Sequence, residues 1–241
     1  MEIIICENYE EVSQKAAQIM LNVINDKENA VIGLATGSTP IGLYQNLIKD
    51  HQENQTSYEK VITFNLDEYV NLPKEHPESY YSFMHTNLFD SLNVKEENIH
   101  IPSGLGEDIE ANCKCYEESL NSYEMDIQLL GVGRNGHIGF NEPGTPFESV
   151  THVVDLDEKT IQDNSRFFEG NMDLVPKKAI TMGISSIMRA KKILLVANGA
   201  NKADAIYELV KGEISTSCPV TVLRNHPCVY VVIDKAAASR L

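Results

Sequence analysis

His137 and Glu142 stand five residues apart in GVGRNGHIGFNEP, residues 131–143. Histidine is the side chain whose ordinary pKa suits proton transfer near neutrality, and a carboxylate can orient its ring and stabilise the imidazolium. Asn135, two residues earlier, adds a hydrogen-bonding amide. A satisfied structural histidine is the plainer alternative. Asp67 and Glu68 directly follow the candidate strand 61–66. Two acids at a strand's carboxyl end suit acid/base work, or simply cap a turn. Residues 36–40, Thr-Gly-Ser-Thr-Pro, follow the apolar run 30–35. Gly37 lets the backbone come close to a ligand. The hydroxyls of Ser38 and Thr39, with free N–H groups at a helix start, make an anion site. Thr39 is the predicted N-cap and Pro40 the predicted first helical residue. Arg166, in Asn-Ser-Arg-Phe-Phe, can fork onto an anion. Lys202 follows Gly199-Ala200-Asn201, with Asn201 the predicted cap of a helix whose start also favours an anion. Taken singly, each cation reads as a solvated surface charge. His76, in KEHPESYY, reads more readily as surface or structural than as a ligand. Pro77 is placed near the first turn of the helix opening there.

Gly131, Gly133 and Gly136 also satisfy the G-x-G-x-x-G spacing of a dinucleotide loop, and Asp155 lies where a ribose-binding acid would fall. That fingerprint needs a helix directly after the glycines. Here Gly139, Pro143, Gly144 and Pro146 break any helix. The expectation is an irregular loop that presents side chains, with no dinucleotide.

These stretches need strands and helices to position them. Candidate strands are 3–6, 30–35, 61–66, 127–132, 152–156, 179–184, 193–197, 221–223 and 228–233. Several are continuously apolar, as strands buried on both faces are. Val12, Ala16, Met20 and Val23 form a helical stripe between the first two; Ala203, Ile206 and Val210 form another, with Gly212 as the expected C-cap. The alternation predicts an α/β fold: a single domain over 1–241, a Rossmann-like three-layer sandwich with a mainly parallel sheet flanked by helices. Ligands of such sheets bind outside the carboxyl ends of the strands, where all of these stretches fall.

The 241 residues suffice for one substantial core, and hydrophobic residues make up 42%. A formal net charge of −15 argues against nucleic acid and anionic membranes as partners. A small anion held by a few clustered cations fits. The five cysteines, Cys6, Cys113, Cys115, Cys218 and Cys228, complete no zinc pattern. They are expected as reduced thiols, most of them buried, and no metal is expected. The start, MEIIICENYEEV, lacks a basic n-region, and no apolar stretch is long enough to span a bilayer. The expected location is the cytoplasm.

Taken together, the stretches LATGSTPIGLY, FNLDEYVNLPKEHPESYYSFM, GVGRNGHIGFNEPGTPF, NSRFF, VPKKAITMGI and NGANKA resemble the glucosamine-6-phosphate deaminase family, in the family's order and over most of the chain. The GHIGFNEP ending sets it apart from the related 6-phosphogluconolactonases. The resemblance implies conversion of glucosamine 6-phosphate and water to fructose 6-phosphate and ammonia, without a cofactor. It implies catalytic roles for Asp67, Asn135, His137 and Glu142. Gly37, Ser38, Thr39, Arg166 and Lys202 would bind the substrate phosphate. Some relatives carry aspartate where this chain has Asn135, which shifts the charge balance of the histidine onto Glu142. The role of Glu68 is left open. A lid over the site is expected at about 157–172. Regulated relatives are hexamers that bind N-acetylglucosamine 6-phosphate between subunits, through basic residues shortly after FNEPG and a longer C-terminal extension. With the sequence ending at Leu241, a monomer is expected, with a dimer as the alternative. The competing readings are a lactonase-type sugar-phosphate enzyme, which has little use for Asp67, and a silent sugar-phosphate sensor. A sensor would have lost Asp67 or His137 and gained a DNA-binding module.

Overall fold

The computed structural model describes residues 1–241, except that the side chain of Asp163, inside the expected lid, lies outside the described residues. The strands are β1 (Glu2–Cys6), β2 (Val31–Leu34), β3 (Ile62–Asn65), β4 (Asp67–Tyr69), β5 (Ile99–His100), β6 (Ile127–Leu130), β7 (His152–Asp155), β8 (Lys178–Thr181), β9 (Ile193–Ala197) and β10 (Val229–Asp234). The α-helices are α1 (Tyr9–Asp26), α2 (Ile41–Asn54), α3 (Tyr80–Asn87), α4 (Ile109–Asn121), α5 (Glu158–Asn164), α6 (Ile184–Met188) and α7 (Ala203–Lys211).

Seven strands form one sheet in the order β1-β10-β9-β6-β2-β3-β5, with every pairing parallel. β4, β8 and β7 form a separate antiparallel sheet. The expected α/β fold with a mainly parallel sheet flanked by helices is what the chain adopts. Every residue of β2, β6 and β9 is buried, which is why β2 and β9 read as unbroken apolar runs; in β6 only Gln128 interrupts the run. α1 starts where the Asn8 side chain accepts the Glu11 N–H, and it buries Val12, Ala16, Met20 and Val23 on one face. Among the described residues, no helix is long and apolar enough to cross a membrane.

Several local expectations need correction. Residues 221–223 are not a strand; they lie in a 3-10 helix, Pro219–Asn225. Pro219 supplies no N–H for a ladder, and Thr221 Oγ1 donates instead to Cys218 O at 2.7 Å. Gly212 follows α7 as expected, but with extended backbone (φ −70°) in place of a left-handed cap. α3 opens at Tyr80 with Ser79 as its cap, so Pro77 belongs to the preceding turn. Two of the five thiols are buried, Cys6 and Cys113, whereas Cys115 is exposed and the other two are half-buried. All five are unpaired thiols.

The sheet order reverses direction at β2, with β3 on one side and β6 on the other. The loops after these strands therefore part and leave a crevice at their carboxyl ends.

Candidate active site

A cleft of about 410 Å³ occupies that crevice. Residues 36–40 after β2, Asp67 and Tyr69 in β4, residues 131–134 and His137 after β6, and Asn198, Gly199, Asn201 and Lys202 after β9 line it. Thr160, Asn164 and Arg166, from α5 and the turn after it, complete the wall.

Residues 36–40 form one rim. Gly37 has φ +99°, a left-handed conformation that favours glycine. Thr39 does not cap α2. Pro40 occupies the cap position in helical conformation, with no side-chain cap bond. The Thr39 hydroxyl instead bridges to Asn198 Oδ1 at 3.3 Å, tying the β2 loop to the β9 loop. Tyr9 pins the rim from below, donating to the carbonyls of Ser38 and Thr39 at 3.1 Å each and accepting the Gly42 N–H at 2.8 Å. Asn201 is likewise not a cap: residues 200–202 form a 3-10 turn, and Lys202 stands at the cap position of α7. Arg166 is exposed, with its guanidinium 4.6 Å from the Phe167 ring centre. Gly37, Ser38, Thr39, Arg166 and Lys202 all face the one cleft. Two cations, several hydroxyls and the N-terminus of a helix thus converge on a space that suits an anion.

Asp67 lies deeper. It is 6% exposed, in β4 opposite Thr181 of β8. Burial, with a contribution from the neighbouring Glu68 charge, pushes its carboxyl up to about 8. Such a group takes and returns protons near neutral pH. Glu68 is equally buried but points elsewhere. It accepts the backbone N–H groups of Tyr69, Tyr80 and Tyr81, at 2.8, 3.0 and 2.9 Å. The last two belong to the first turn of α3, where a negative charge is favoured. Burial still leaves the Glu68 carboxyl above its ordinary range, although these three bonds oppose the rise.

The loop after β6 turns without a helix, as expected. A Cβ on Gly133 would fall 2.4 Å from the His137 ring, so only glycine lets the ring lie back across the loop. Glu142 Oε1 sits 3.1 Å from His137 Nδ1 and accepts the Thr160 hydroxyl at 2.6 Å. Glu142 Oε2 accepts Asn135 Nδ2 at 2.6 Å. Burial raises the Glu142 carboxyl, but His137, Thr160 and Asn135 outweigh it and hold the group below its ordinary range. Asn135 Oδ1 also accepts the His137 N–H at 3.2 Å. The far end of the loop is anchored by buried Asn141, whose amide donates to Ile138 O and Met182 O at 2.8 Å each. With Nδ1 toward Glu142, Nε2 is the ring nitrogen left for a ligand.

Sequence reasoning did not single out Asn164 or the aromatic side chains around the cleft. Tyr69 is buried and Tyr80 half-buried, their ring centres 4.8 Å apart, and both line the cleft together with Thr36 of the anion rim. Asn164 Nδ2 donates to the Tyr69 hydroxyl at 2.9 Å. Ile161 and Phe168 bury themselves against Tyr69 and Phe140. The one available signal was the run of tyrosines beginning at Tyr80, which marks a helix too aromatic for an exposed face. His76 is not part of the cleft wall; its ring stacks 5.9 Å from Phe168, and its Nδ1 accepts the Glu78 N–H at 3.1 Å.

The family model described as glucosamine-6-phosphate isomerases/6-phosphogluconolactonase matches residues 7–231. The glucosamine-6-phosphate deaminase of Thermoanaerobacter pseudethanolicus is 54% identical over 240 residues, 99% of this chain and 94% of the relative. That of Clostridium novyi is 51% identical over 242 residues, covering both chains completely. A solved monomeric glucosamine-6-phosphate deaminase superposes with a TM-score of 0.98 at 48% identity, over 100% of each chain. A 6-phosphogluconolactonase from Trypanosoma brucei shares the fold, with a TM-score of 0.81 at 18% identity over 100% of this chain and 98% of that one. By the extent of these matches the chain belongs to the glucosamine-6-phosphate deaminase family.

Proposed function

We propose that the protein is an isomerising deaminase that converts glucosamine 6-phosphate and water to fructose 6-phosphate and ammonia. The observation that carries this reading is the meeting, in one cleft, of a buried carboxylate of raised pKa, Asp67, with the His137–Glu142 pair below an anion-binding rim. The names of relatives at 51% and 54% identity support it.

The substrate phosphate sits among Ser38, Thr39, Arg166 and Lys202, with Gly37 giving the backbone room to approach it. The rest of the sugar then extends toward Asp67. His137 moves the anomeric hydroxyl proton to the ring oxygen; the bond from C1 to that oxygen breaks and the aldehyde forms. Glu142, kept ionised by its three partners, stabilises the imidazolium that appears in transit. Asn135 fixes both the carboxylate and the loop. Asp67 removes the C2 proton, which the adjacent aldehyde acidifies, and gives an enolamine. Returning the proton to C1 makes C2 an imine. Water adds to C2 and ammonia leaves, so the ketose forms with no net oxidation. No step calls on a metal or a redox group. Residues 157–172 serve as the lid that excludes bulk water during these steps. The protein acts as a monomer in the cytoplasm.

Incubation with glucosamine 6-phosphate, with ammonia and fructose 6-phosphate measured together, tests this directly. Equimolar release of both is expected. Turnover of 6-phosphogluconolactone with no ammonia from the amino sugar would overturn it in favour of a lactonase.

A further inference from the structure

α5 touches the site at two points four residues apart. Thr160 donates to Glu142 Oε1 at 2.6 Å, and Asn164 donates to the Tyr69 hydroxyl at 2.9 Å. Positions i and i+4 lie on one helix face, so this face is turned onto the cleft. The two bonds reach different parts of the machinery. Asn164 holds Tyr69, which lies against Tyr80 in the cleft wall, ring centres 4.8 Å apart. Thr160 binds the very oxygen that faces His137 Nδ1.

That oxygen is not yet well placed for the ring. His137 Nδ1 is 3.1 Å away, but the buried nitrogen is misaligned for a full hydrogen bond. Catalytic contacts often tighten only when the complex closes. Thr160 is itself buried, at 7% exposed, so its hydroxyl serves Glu142 and not solvent. Arg166, two residues past Asn164, carries the same segment's charge into the cleft. The C-terminal end of the segment turns through Glu169 and Gly170, both left-handed, at φ 55° and 76°. A non-glycine residue in that region costs energy unless its surroundings hold it, which suits a hinge.

We propose that Thr160 is a positioning residue that makes closure of α5 over the cleft set the Glu142 carboxylate against His137. Capture of an anion by Arg166 and readiness for ring opening then become one event. This rests on the deaminase reading given above. This couples the proton shuttle to α5 through one hydroxyl, and it separates α5 from a passive cover.

Thr160→Val keeps shape and removes the donor; Thr160→Ser keeps the donor. With glucosamine 6-phosphate, Thr160→Val should lower kcat about tenfold, the usual scale for a hydrogen bond to a charged group. The acid limb of its kcat profile should move to higher pH, because Glu142 loses a donor that favours its ionised form. Thr160→Ser should restore both. If Thr160→Val does not fold, judged by circular dichroism, Thr160→Ala against Thr160→Ser gives the same comparison. A rise in KM alone, with kcat and the pH profile unchanged, would make α5 a cover only and overturn the proposal. So would equal losses in the valine and serine variants. Failure of the parent protein to release any ammonia would instead sink the deaminase reading, which keeps the two failures distinct.

Discussion

Asp67 and Glu68 are adjacent buried carboxylates on β4 that serve opposite sides of the strand. Glu68 takes three backbone N–H bonds at the start of α3, while Asp67 faces the cleft and accepts no hydrogen bond among the described residues. Alternation along a strand is what separates them. One is held by structure and the other is left for a ligand.

Asp67→Asn should preserve packing and lose the base. Turnover should fall at least about 10²-fold, within the range for removal of a general base. Exchange of the substrate's C2 proton with solvent should fall with it. Exchange at the parent rate would show that another group does this work.

The same substitution tests the raised carboxyl through stability. In the folded chain Asp67 holds its proton up to about pH 8, against an ordinary value of 3.8. Between those values the folded state binds more protons than the unfolded one, so this group's contribution to stability is full below about pH 4 and is lost as pH rises through about 8. Asp67→Asn should therefore gain on the parent as pH climbs across that window. Urea unfolding at pH 5 and pH 8.5 measures it. Parallel profiles for the two proteins would refute the raised value.

His137→Gln should impair ring opening more than carbon chemistry. The cyclic sugar should suffer the larger loss, and substrate enriched in the open form should recover part of it. An acyclic analogue that gains nothing relative to the parent would remove His137 from the ring-opening role.

Much of this site was legible before any coordinates, for a physical reason. β2, β6 and β9 are buried on both faces, so their mostly apolar sequences announce them, and the loops that follow carry His137, Glu142, Gly37, Ser38, Thr39 and Lys202. β4 was not legible, because Asp67-Glu68-Tyr69 has no apolar pattern; its pairing with β8, Asp67 opposite Thr181, makes it a strand. Residues 221–223 misled in the opposite sense, since Thr, Val and Leu suit a strand that Pro219 and the Thr221 hydroxyl prevent. Thr39 and Asn201 are good capping types whose side chains found other uses once β2 and β9 lay side by side around the cleft. Thr160 and Asn164 could not be found at all. Their partners, Glu142 and Tyr69, are 18 and 95 residues away, and only tertiary folding brings them together.

Arg166→Ala and Lys202→Ala should each raise KM for the sugar phosphate, since each removes a charge-assisted contact to an anion. Glucosamine without phosphate should respond to neither change. A similar loss on both substrates would signal damage to the fold. Added salt should weaken binding to the parent more than to either variant, because fewer charges remain to be screened.

Rate against substrate should be hyperbolic, and N-acetylglucosamine 6-phosphate should not activate. An anionic effector needs cations, and residues 144–158 contain neither lysine nor arginine. His152 is their one candidate, and its Nδ1 lies 2.8 Å from the Val150 carbonyl. Linkage requires an effector to bind one state better than another, and this segment offers no lysine or arginine with which to do so. A sigmoidal curve straightened by the acetylated sugar would contradict both this and the monomer.

Glu68→Gln should separate scaffold from chemistry. The carboxylate now receives N–H groups on both oxygens: Tyr69 and Tyr80 on Oε1, Tyr81 on Oε2. A glutamine has one acceptor oxygen, and its amide would meet either the paired donors or the single one with a donor of its own. It also removes the negative charge that favours the N-terminus of α3. Burial opposes the charge at Glu68, so neutralising it returns some of the loss. The net cost should be about 1–3 kcal/mol, the scale of a buried donor left unsatisfied. α3 begins with Tyr80, which lines the cleft beside Tyr69 and with Thr36 of the anion rim, so a loosened start should reach that rim. The expected kinetic signature is a higher KM with C2 exchange still detectable, unlike Asp67→Asn. Unfolding in urea and isotope exchange measured on the same preparation decide it. Full stability with abolished C2 exchange would reverse the assignment and make Glu68 the partner of the chemistry.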